Sequence, residues 1–121
     1  MRGKPHDAQF LEQADRFLCD AGGRESDGKG FLLSLREVID PAGKTVVMFG
    51  AGGAARAIGV ELAFAGAKRI IVANRSEARG RELVDLLNGK TKTKAELVHW
   101  LEPYEVPTGT DVVINATSIG L

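Results

Sequence analysis

The chain has 121 residues, and its sixteen basic and sixteen acidic side chains give a formal net charge of zero. This length suits one soluble domain with a hydrophobic core, and the neutral balance gives no electrostatic reason to expect nucleic acid or a membrane as a partner. The single cysteine, Cys19, excludes an internal disulfide framework and favours a reducing, cytoplasmic compartment. No apolar run approaches the length of a membrane span.

The N-terminal part of the chain is predicted to be helical, with a loop in it. Apolar residues recur at helical spacing between Asp7 and Leu18, which predicts a packing helix there. Residues 20–30 place glycines among charged side chains. That composition favours a solvated linker, with the alternative of a loop that presents substrate ligands or acid–base groups. A short helix is predicted over Phe31–Ile39.

A strand, a glycine turn and a helix are predicted next. Thr45–Phe49 is an apolar run with β-branched residues, typical of a strand covered on both faces. The segment that follows is Gly50-Ala51-Gly52-Gly53-Ala54-Ala55, which contains G-x-G-x-x-A, a variant of the dinucleotide-binding fingerprint. There the first glycine allows a tight turn, the second lets the backbone approach a pyrophosphate, and the small last residue lets the helix pack closely on the strand. The helix is predicted over Gly53–Ala65.

Strands and helices continue to alternate after this turn. They are a strand over Arg69–Ala73, a helix over Glu77–Asn88 that Ser76 caps and Gly89 ends, a weaker strand over Ala95–His99, and a strand over Asp111–Asn115. The alternation predicts an α/β fold with a Rossmann-type, doubly wound parallel sheet. About four strands are predicted, where a complete fold of this type has about six.

The residues after the second predicted strand indicate the cofactor. An NAD-binding sheet usually carries Asp or Glu there to hold the ribose hydroxyls, whereas this chain has Asn74, Arg75 and Ser76. Arg75 can pair with a 2′-phosphate, which an acidic residue would repel. The pattern favours NADP over NAD. The alternative is that Arg75 is a solvated surface residue and Ser76 only a helix cap.

The segment after the last predicted strand is expected to lie near the nicotinamide half of the cofactor. It consists of Asn115, Ala116, Thr117, Ser118 and the residues up to Leu121. Thr117 and Ser118 could hydrogen-bond a ribose or carboxamide, or could be ordinary turn-forming hydroxyls. No metal site is predicted, because His6 and His99 lack partners at metal-ligand spacing. His99 and Trp100 are interpreted as a surface pair at a strand end.

Three separated segments together resemble the shikimate and quinate dehydrogenases. They are Ser26 to Leu35, Val46 to Ala55 with Asn74-Arg75-Ser76, and Asn115 to Leu121. The resemblance implies reversible, NADPH-dependent reduction of 3-dehydroshikimate to shikimate in aromatic amino acid biosynthesis, in a cleft between a substrate domain and a nucleotide domain. It implies that Asp27 is catalytic, sharing proton transfer with a lysine from a segment upstream of this chain. It also assigns the glycine turn to the pyrophosphate, Asn74-Arg75-Ser76 to NADP selection, and the last segment to the nicotinamide.

The chain departs from the family pattern in front of Asp27. Glu25-Ser26 stands where the family usually has Asn-Thr, and a glutamate would place negative charge near a carboxylate substrate. Related reductases such as quinate dehydrogenase, and a non-catalytic NADP(H)-binding module, are therefore alternatives. The expected organisation is an N-terminal helical and linker segment over 1–40, with a substrate-cleft loop at 20–30, and an NADP-binding domain over 41–121 that is truncated at its C-terminal end. These residues alone are expected to turn over little substrate.

Overall fold

The computed structural model describes residues 10–13, 16–21 and 28–117. Its elements in chain order are β1 (Phe10–Gln13), β2 (Arg16–Asp20), α1 (Gly28–Arg36), β3 (Thr45–Phe49), α2 (Gly53–Phe64), β4 (Arg69–Asn74), α3 (Glu77–Lys90), β5 (Lys94–His99) and β6 (Val112–Asn115). None of the helices in these ranges combines the length and the apolarity needed to span a membrane.

The strands form one six-stranded sheet in the order β1-β2-β6-β3-β4-β5. Neighbouring strands are parallel except at one edge, where β1 runs antiparallel to β2. From β3 the chain moves outward through β4 and β5, and β6 then returns to the other side of β3. The strand order thus reverses between β3 and β6, and ligands of open α/β sheets bind beyond the carboxyl ends of strands at such a reversal. The predicted Rossmann-type α/β fold is confirmed.

Both faces of the central strands are buried. One face packs against the apolar sides of α1, α2 and α3, and its strand residues are Val46, Met48, Ile70, Val72, Val112 and Ile114. The opposite face consists of Val47, Phe49, Ile71 and Ala73, and it lies under Trp100, Tyr104 and Val106 from the segment after β5. Burial on two faces explains why β3, β4 and β6 appear in the sequence as continuous apolar runs.

The predicted helix between Asp7 and Leu18 is wrong. Phe10–Gln13 and Arg16–Asp20 are paired strands, with Phe10 opposite Cys19. The second of them then pairs in parallel with β6, so that Cys19 lies beside Ile114. Strand formation depends on a pairing partner, and this partner lies more than ninety residues further along the chain. The sheet formed by the described residues therefore has six strands, not about four, and the described part of residues 1–40 contributes two strands as well as a helix.

Several other predicted helix bounds differ from the structure. The predicted helix at Phe31 begins instead at Gly28 and ends at Arg36, after which Val38 N donates to Leu35 O at 2.9 Å in a tighter final turn. The predicted stop at Gly89 is also wrong, because α3 continues through it to Lys90. An exposed glycine lowers helix stability by about 1 kcal/mol relative to alanine, which packing elsewhere on the helix can offset.

The early start of α1 depends on a close approach to α2. A Cβ added at Gly28 would lie 2.5 Å from the carbonyl oxygen of Ala57, which is backbone and cannot easily move. We expect Gly28→Ala to lower the free energy of unfolding by about 1–3 kcal/mol, measured by urea denaturation. Gly89→Ala is the matched control, because a Cβ there meets no atom within 4 Å. It should be neutral or stabilising by up to about 1 kcal/mol. Equal destabilisation by the two substitutions would contradict this packing.

Candidate functional site

Gly50 forms the turn at the point where the strand order reverses. Its φ of +114° lies in a region that side chains rarely adopt. A Cβ at this position would also lie 2.8 Å from the carbonyl oxygen of Ala116 and 3.1 Å from the nitrogen of Thr117. Ala116 N donates to Phe49 O at 2.8 Å, so the segment after β6 is tied directly to the turn after β3. Glycine is therefore required at the first position of the fingerprint, both by the backbone conformation and by the lack of space for a Cβ.

Gly52 leaves space open on the solvent side of the turn. A Cβ at Gly52 or Gly53 would meet no atom within 4 Å. Gly52 is the N-cap of α2, and no side-chain hydrogen bond caps this helix end. The first N–H groups of a helix have no partners within it, and the helix dipole makes them attractive to an anion. Ala55, the last fingerprint position, is fully buried, as close packing of the helix requires.

A pocket of about 310 Å³ lies in front of this helix end. Its lining residues are Gly50, Ala51, Gly52, Gly53, Ala54, Asn74, Arg75, Ser76, Arg79, Trp100, Ala116 and Thr117. The pocket joins the three segments that the sequence analysis had assigned to one cofactor. Ala55 and Asn115 belong to the same segments but are buried and do not line the pocket.

The β4 end of the pocket is cationic. Arg75 lies with its guanidinium 4.4 Å from the centroid of the Trp100 ring. Asn74 Nδ2 donates to Ser76 O at 2.8 Å, which holds the turn, and Ser76 Oγ accepts from the backbone nitrogen of Arg79 at 3.2 Å as the predicted cap. The side chain of Arg79 belongs to the first turn of α3. None of the lining residues in the described ranges is acidic.

Sequence reasoning missed Arg79 and Trp100. A signal for Arg79 was present, since it follows Arg75 by four residues and lies three residues after the predicted cap. The prediction of His99 and Trp100 as a surface pair at a strand end fits the exposed His99, but Trp100 is only half-exposed and its ring packs edge-on against Phe49 at a centroid distance of 4.8 Å. The sequence offered no signal for that contact.

The residues that line the β6 end of the pocket, Ala116 and Thr117, are uncharged, and the polar groups behind them are hydrogen-bonded within the protein. Asn115 Oδ1 accepts from Thr117 Oγ1 at 2.7 Å and from Thr117 N at 3.1 Å. Asn115 Nδ2 donates to Asp20 Oδ1 at 3.2 Å, and Ala21 N donates to Asn115 O at 2.7 Å. The Thr117 hydroxyl therefore donates its hydrogen to Asn115 within the protein. Its oxygen is left to accept a hydrogen bond from a ligand.

The described lining of the pocket does not include the remaining candidate groups. Asp27, the predicted catalytic residue, and Ser118 lie outside the described residues, so their roles stay predictions. Burial, together with the charge of Asp20, raises the pKa of the Cys19 thiol to about 12, which leaves it a protonated packing residue. Within residues 10–13, 16–21 and 28–117, no cluster of three or more His, Cys, Asp or Glu could hold a metal ion.

The two glycines should respond differently to the same substitution. Gly50→Ala should lower the free energy of unfolding by about 2 kcal/mol or more, because it adds both backbone strain and a clash with Ala116. Gly52→Ala should lower stability by no more than about 1 kcal/mol, since its Cβ enters open space and only the N-cap preference for glycine over alanine is lost. Thermal and urea unfolding of the two variants provide the comparison. A Gly52→Ala loss as large as that of Gly50→Ala would show that the open space is filled by the protein itself.

Known proteins match this chain over most of its length. The family model for "Shikimate / quinate 5-dehydrogenase" matches residues 33–120. The shikimate dehydrogenase (NADP(+)) of Moorella thermoacetica is 43% identical over 103 residues, which cover 82% of this chain and 35% of that enzyme. The corresponding enzyme of Desulforamulus reducens is 36% identical over the same shares. The chain thus spans about a third of the length of these relatives.

Two solved structures match as well. A ligand-free 5-ketofructose reductase of Gluconobacter sp. strain CHM43 is 55% identical, with a TM-score of 0.76 over 79% of this chain and 35% of that one. Shikimate 5-dehydrogenase from Listeria monocytogenes, in complex with shikimate and NAD, is 39% identical, with a TM-score of 0.56 over 60% of this chain and 26% of that one. The family match and the fold agree, and the chain belongs to the shikimate/quinate 5-dehydrogenase family.

Proposed function

We propose that this chain binds NADP(H) and is the cofactor-binding part of an oxidoreductase that interconverts a ketone and an alcohol, with 3-dehydroshikimate and shikimate as the first substrate pair. One observation carries the proposal. Arg75 and Arg79 line a pocket beside an uncapped helix end, with no acidic residue among its described lining. Two guanidinium groups suit a 2′-phosphate, and an uncapped helix end suits a pyrophosphate.

The chemistry of the lining residues fits NADP(H) better than NAD(H). A site for NAD usually places a carboxylate at the end of β4 to accept from the ribose hydroxyls, and Asn74, Arg75 and Ser76 occupy that place. The curated relatives are named as NADP(+) enzymes, which supports the assignment. NAD is the alternative, since the Listeria structure contains NAD.

The residues of this chain would bind and orient the cofactor rather than act on the substrate carbonyl. A bound nicotinamide would supply or accept the hydride. The Gly50 contact with Ala116 fixes the β6 segment against the turn, and the Asn115–Thr117 network keeps a hydroxyl oxygen aimed as an acceptor. By its resemblance, Asp27 would exchange a proton with the substrate hydroxyl, together with a lysine from outside this chain.

A 5-ketofructose-type reductase is the second candidate. The Gluconobacter reductase is 55% identical to this chain, against 36% and 43% for the two curated shikimate dehydrogenases. Glu25 supports the same alternative, because a neutral sugar ketone has no carboxylate for it to repel. A third candidate, an NADP(H)-binding module without catalysis, requires a full-length protein with no lysine able to reach Asp27.

Charge reversal at Arg75 tests the cofactor assignment. Arg75→Asp should weaken NADP(+) binding by about 10- to 100-fold, because it replaces a charge-assisted pair by repulsion. Binding of NAD(+) should change by less than about 3-fold, since NAD(+) has no 2′-phosphate. Isothermal titration calorimetry measures both affinities. Arg81→Asp is the matched control, because Arg81 is also an exposed arginine, lies nearby in α3 and does not line the pocket. Equal losses for the two cofactors would contradict the assignment.

The full-length protein tests the substrate and Asp27 together. Assays with NADP(+) compare shikimate with fructose, and assays with NADPH compare 3-dehydroshikimate with 5-ketofructose. The preferred pair should show a kcat/KM at least about 100-fold higher than the other.

Asp27→Asn should lower kcat by about 100-fold or more while NADP(+) affinity stays within about 2-fold. Unchanged turnover would remove Asp27 from proton transfer, and no turnover of either pair by the wild type would favour the non-catalytic module.

A further inference from the structure

The end of β5 contacts Arg75 on both its backbone and its side chain. Strands β4 and β5 are parallel neighbours, and Asn74 lies opposite His99. His99 Nε2 donates to the carbonyl oxygen of Arg75 at 3.0 Å, and Trp100 N donates to Asn74 O at 2.9 Å. The indole ring of Trp100 then lies against the guanidinium, 4.4 Å from ring centroid to Cζ. Two consecutive residues thus hold the backbone around Arg75 and its charged group.

The Trp100 ring is itself held by the strand that precedes the glycine turn. It meets the Phe49 ring at 4.8 Å and an interplanar angle of 61°, an edge-to-face arrangement. Tyr104 packs on the same Phe49 ring at 6.2 Å. Phe49 is buried and is the last residue of β3, directly before Gly50. The Arg75 guanidinium is therefore connected through the rings of Trp100 and Phe49 to the glycine turn that would hold a pyrophosphate.

An arginine on the surface ordinarily adopts many rotamers. Arg75 is exposed, and within the described residues no hydrogen bond or ion pair fixes its guanidinium. Stacking on an aromatic ring restricts the side chain before any ligand arrives, and prior restriction lowers the entropy cost of binding. The contact places the Arg75 Cζ over the indole ring, and the exposed side chain stays accessible to a phosphate.

We infer that Trp100 is a positioning residue for recognition of the 2′-phosphate: it acts through Arg75, whose guanidinium it holds at the mouth of the pocket, and His99 anchors the backbone of the same residue. This inference rests on the proposed function, namely that the pocket binds NADP(H). The role of Trp100 is indirect, and removing its ring should affect NADP(+) more than NAD(+).

The first test uses affinities for both cofactors. Trp100→Leu should weaken NADP(+) by about 2- to 5-fold, the range expected for a cation–π contact at an exposed site, with NAD(+) changed by less than about 1.5-fold. Trp100→Phe keeps an aromatic face and should restore most of the loss. Tyr104→Leu is the matched control, because it removes another aromatic partner of Phe49 without contacting Arg75. It should leave the ratio of the two affinities unchanged.

A double-mutant cycle separates an action through Arg75 from an independent one. In an Arg75→Leu background, Trp100→Leu should no longer change the ratio of NADP(+) to NAD(+) affinity. An undiminished effect in that background would overturn the inference. Equal weakening of both cofactors by Trp100→Leu would also overturn it, since general damage to the site predicts that result.

A second measurement needs no cofactor. Trp100 is the single tryptophan of the chain, so fluorescence excited at the long-wavelength edge of the absorption band, where tyrosine does not absorb, reports this ring alone. Arg75→Leu removes the stacked cation and should shift the intensity or the emission maximum, whereas Arg81→Leu should not. Unchanged emission in Arg75→Leu would contradict the contact between the Arg75 guanidinium and the Trp100 ring, and with it the inference.

Failure of the inference can be distinguished from failure of the proposed function. A wild-type chain that binds NADP(+) no more tightly than NAD(+) would refute the 2′-phosphate assignment and the inference with it. A wild-type preference for NADP(+) that Trp100→Leu leaves intact would refute only the role of Trp100.

Discussion

The contact between Gly50 and the backbone of Ala116 is the constraint on which the candidate site depends. Strands β3 and β6 are parallel neighbours with Phe49 opposite Asn115, so the segments that follow them leave the sheet side by side. They can diverge on either side of a cleft only if one of them turns sharply at once. Gly50 makes that turn, and the space its missing side chain leaves is filled by Ala116 and Thr117. The start of α2 and the β6 wall of the pocket both follow from this contact.

The two ends of the pocket are held by different interactions, and their burial explains the difference. At the exposed β4 end, a guanidinium stacked on an indole ring keeps its hydration, so its charge costs little to hold there. At the buried β6 end, the polar atoms of Asn115 need partners inside the protein, and Thr117 and Asp20 provide them. A charged end and a neutral end also suit the two unequal halves of a dinucleotide.

Membership of the shikimate/quinate 5-dehydrogenase family does not by itself identify the substrate of this protein. Two relatives with different substrates in their names, a 5-ketofructose reductase and a shikimate 5-dehydrogenase, both match this chain in fold. The identity of 55% to a 5-ketofructose reductase therefore bears on ancestry more directly than on specificity.

The sequence by itself determined the central part of the fold and the outline of the site. Strands β3, β4 and β6 are recognisable because double burial makes them continuous apolar runs, and the glycine turn because its steric needs are local. The tertiary structure alone decided the N-terminal hairpin, since β2 becomes a strand by pairing with β6, far along the chain. The contact between Trp100 and Arg75 likewise exists only because β4 and β5 are neighbours in the sheet. Local patterns show which residues can be buried or can bind phosphate, whereas contacts between distant segments exist only after strand pairing has brought them together.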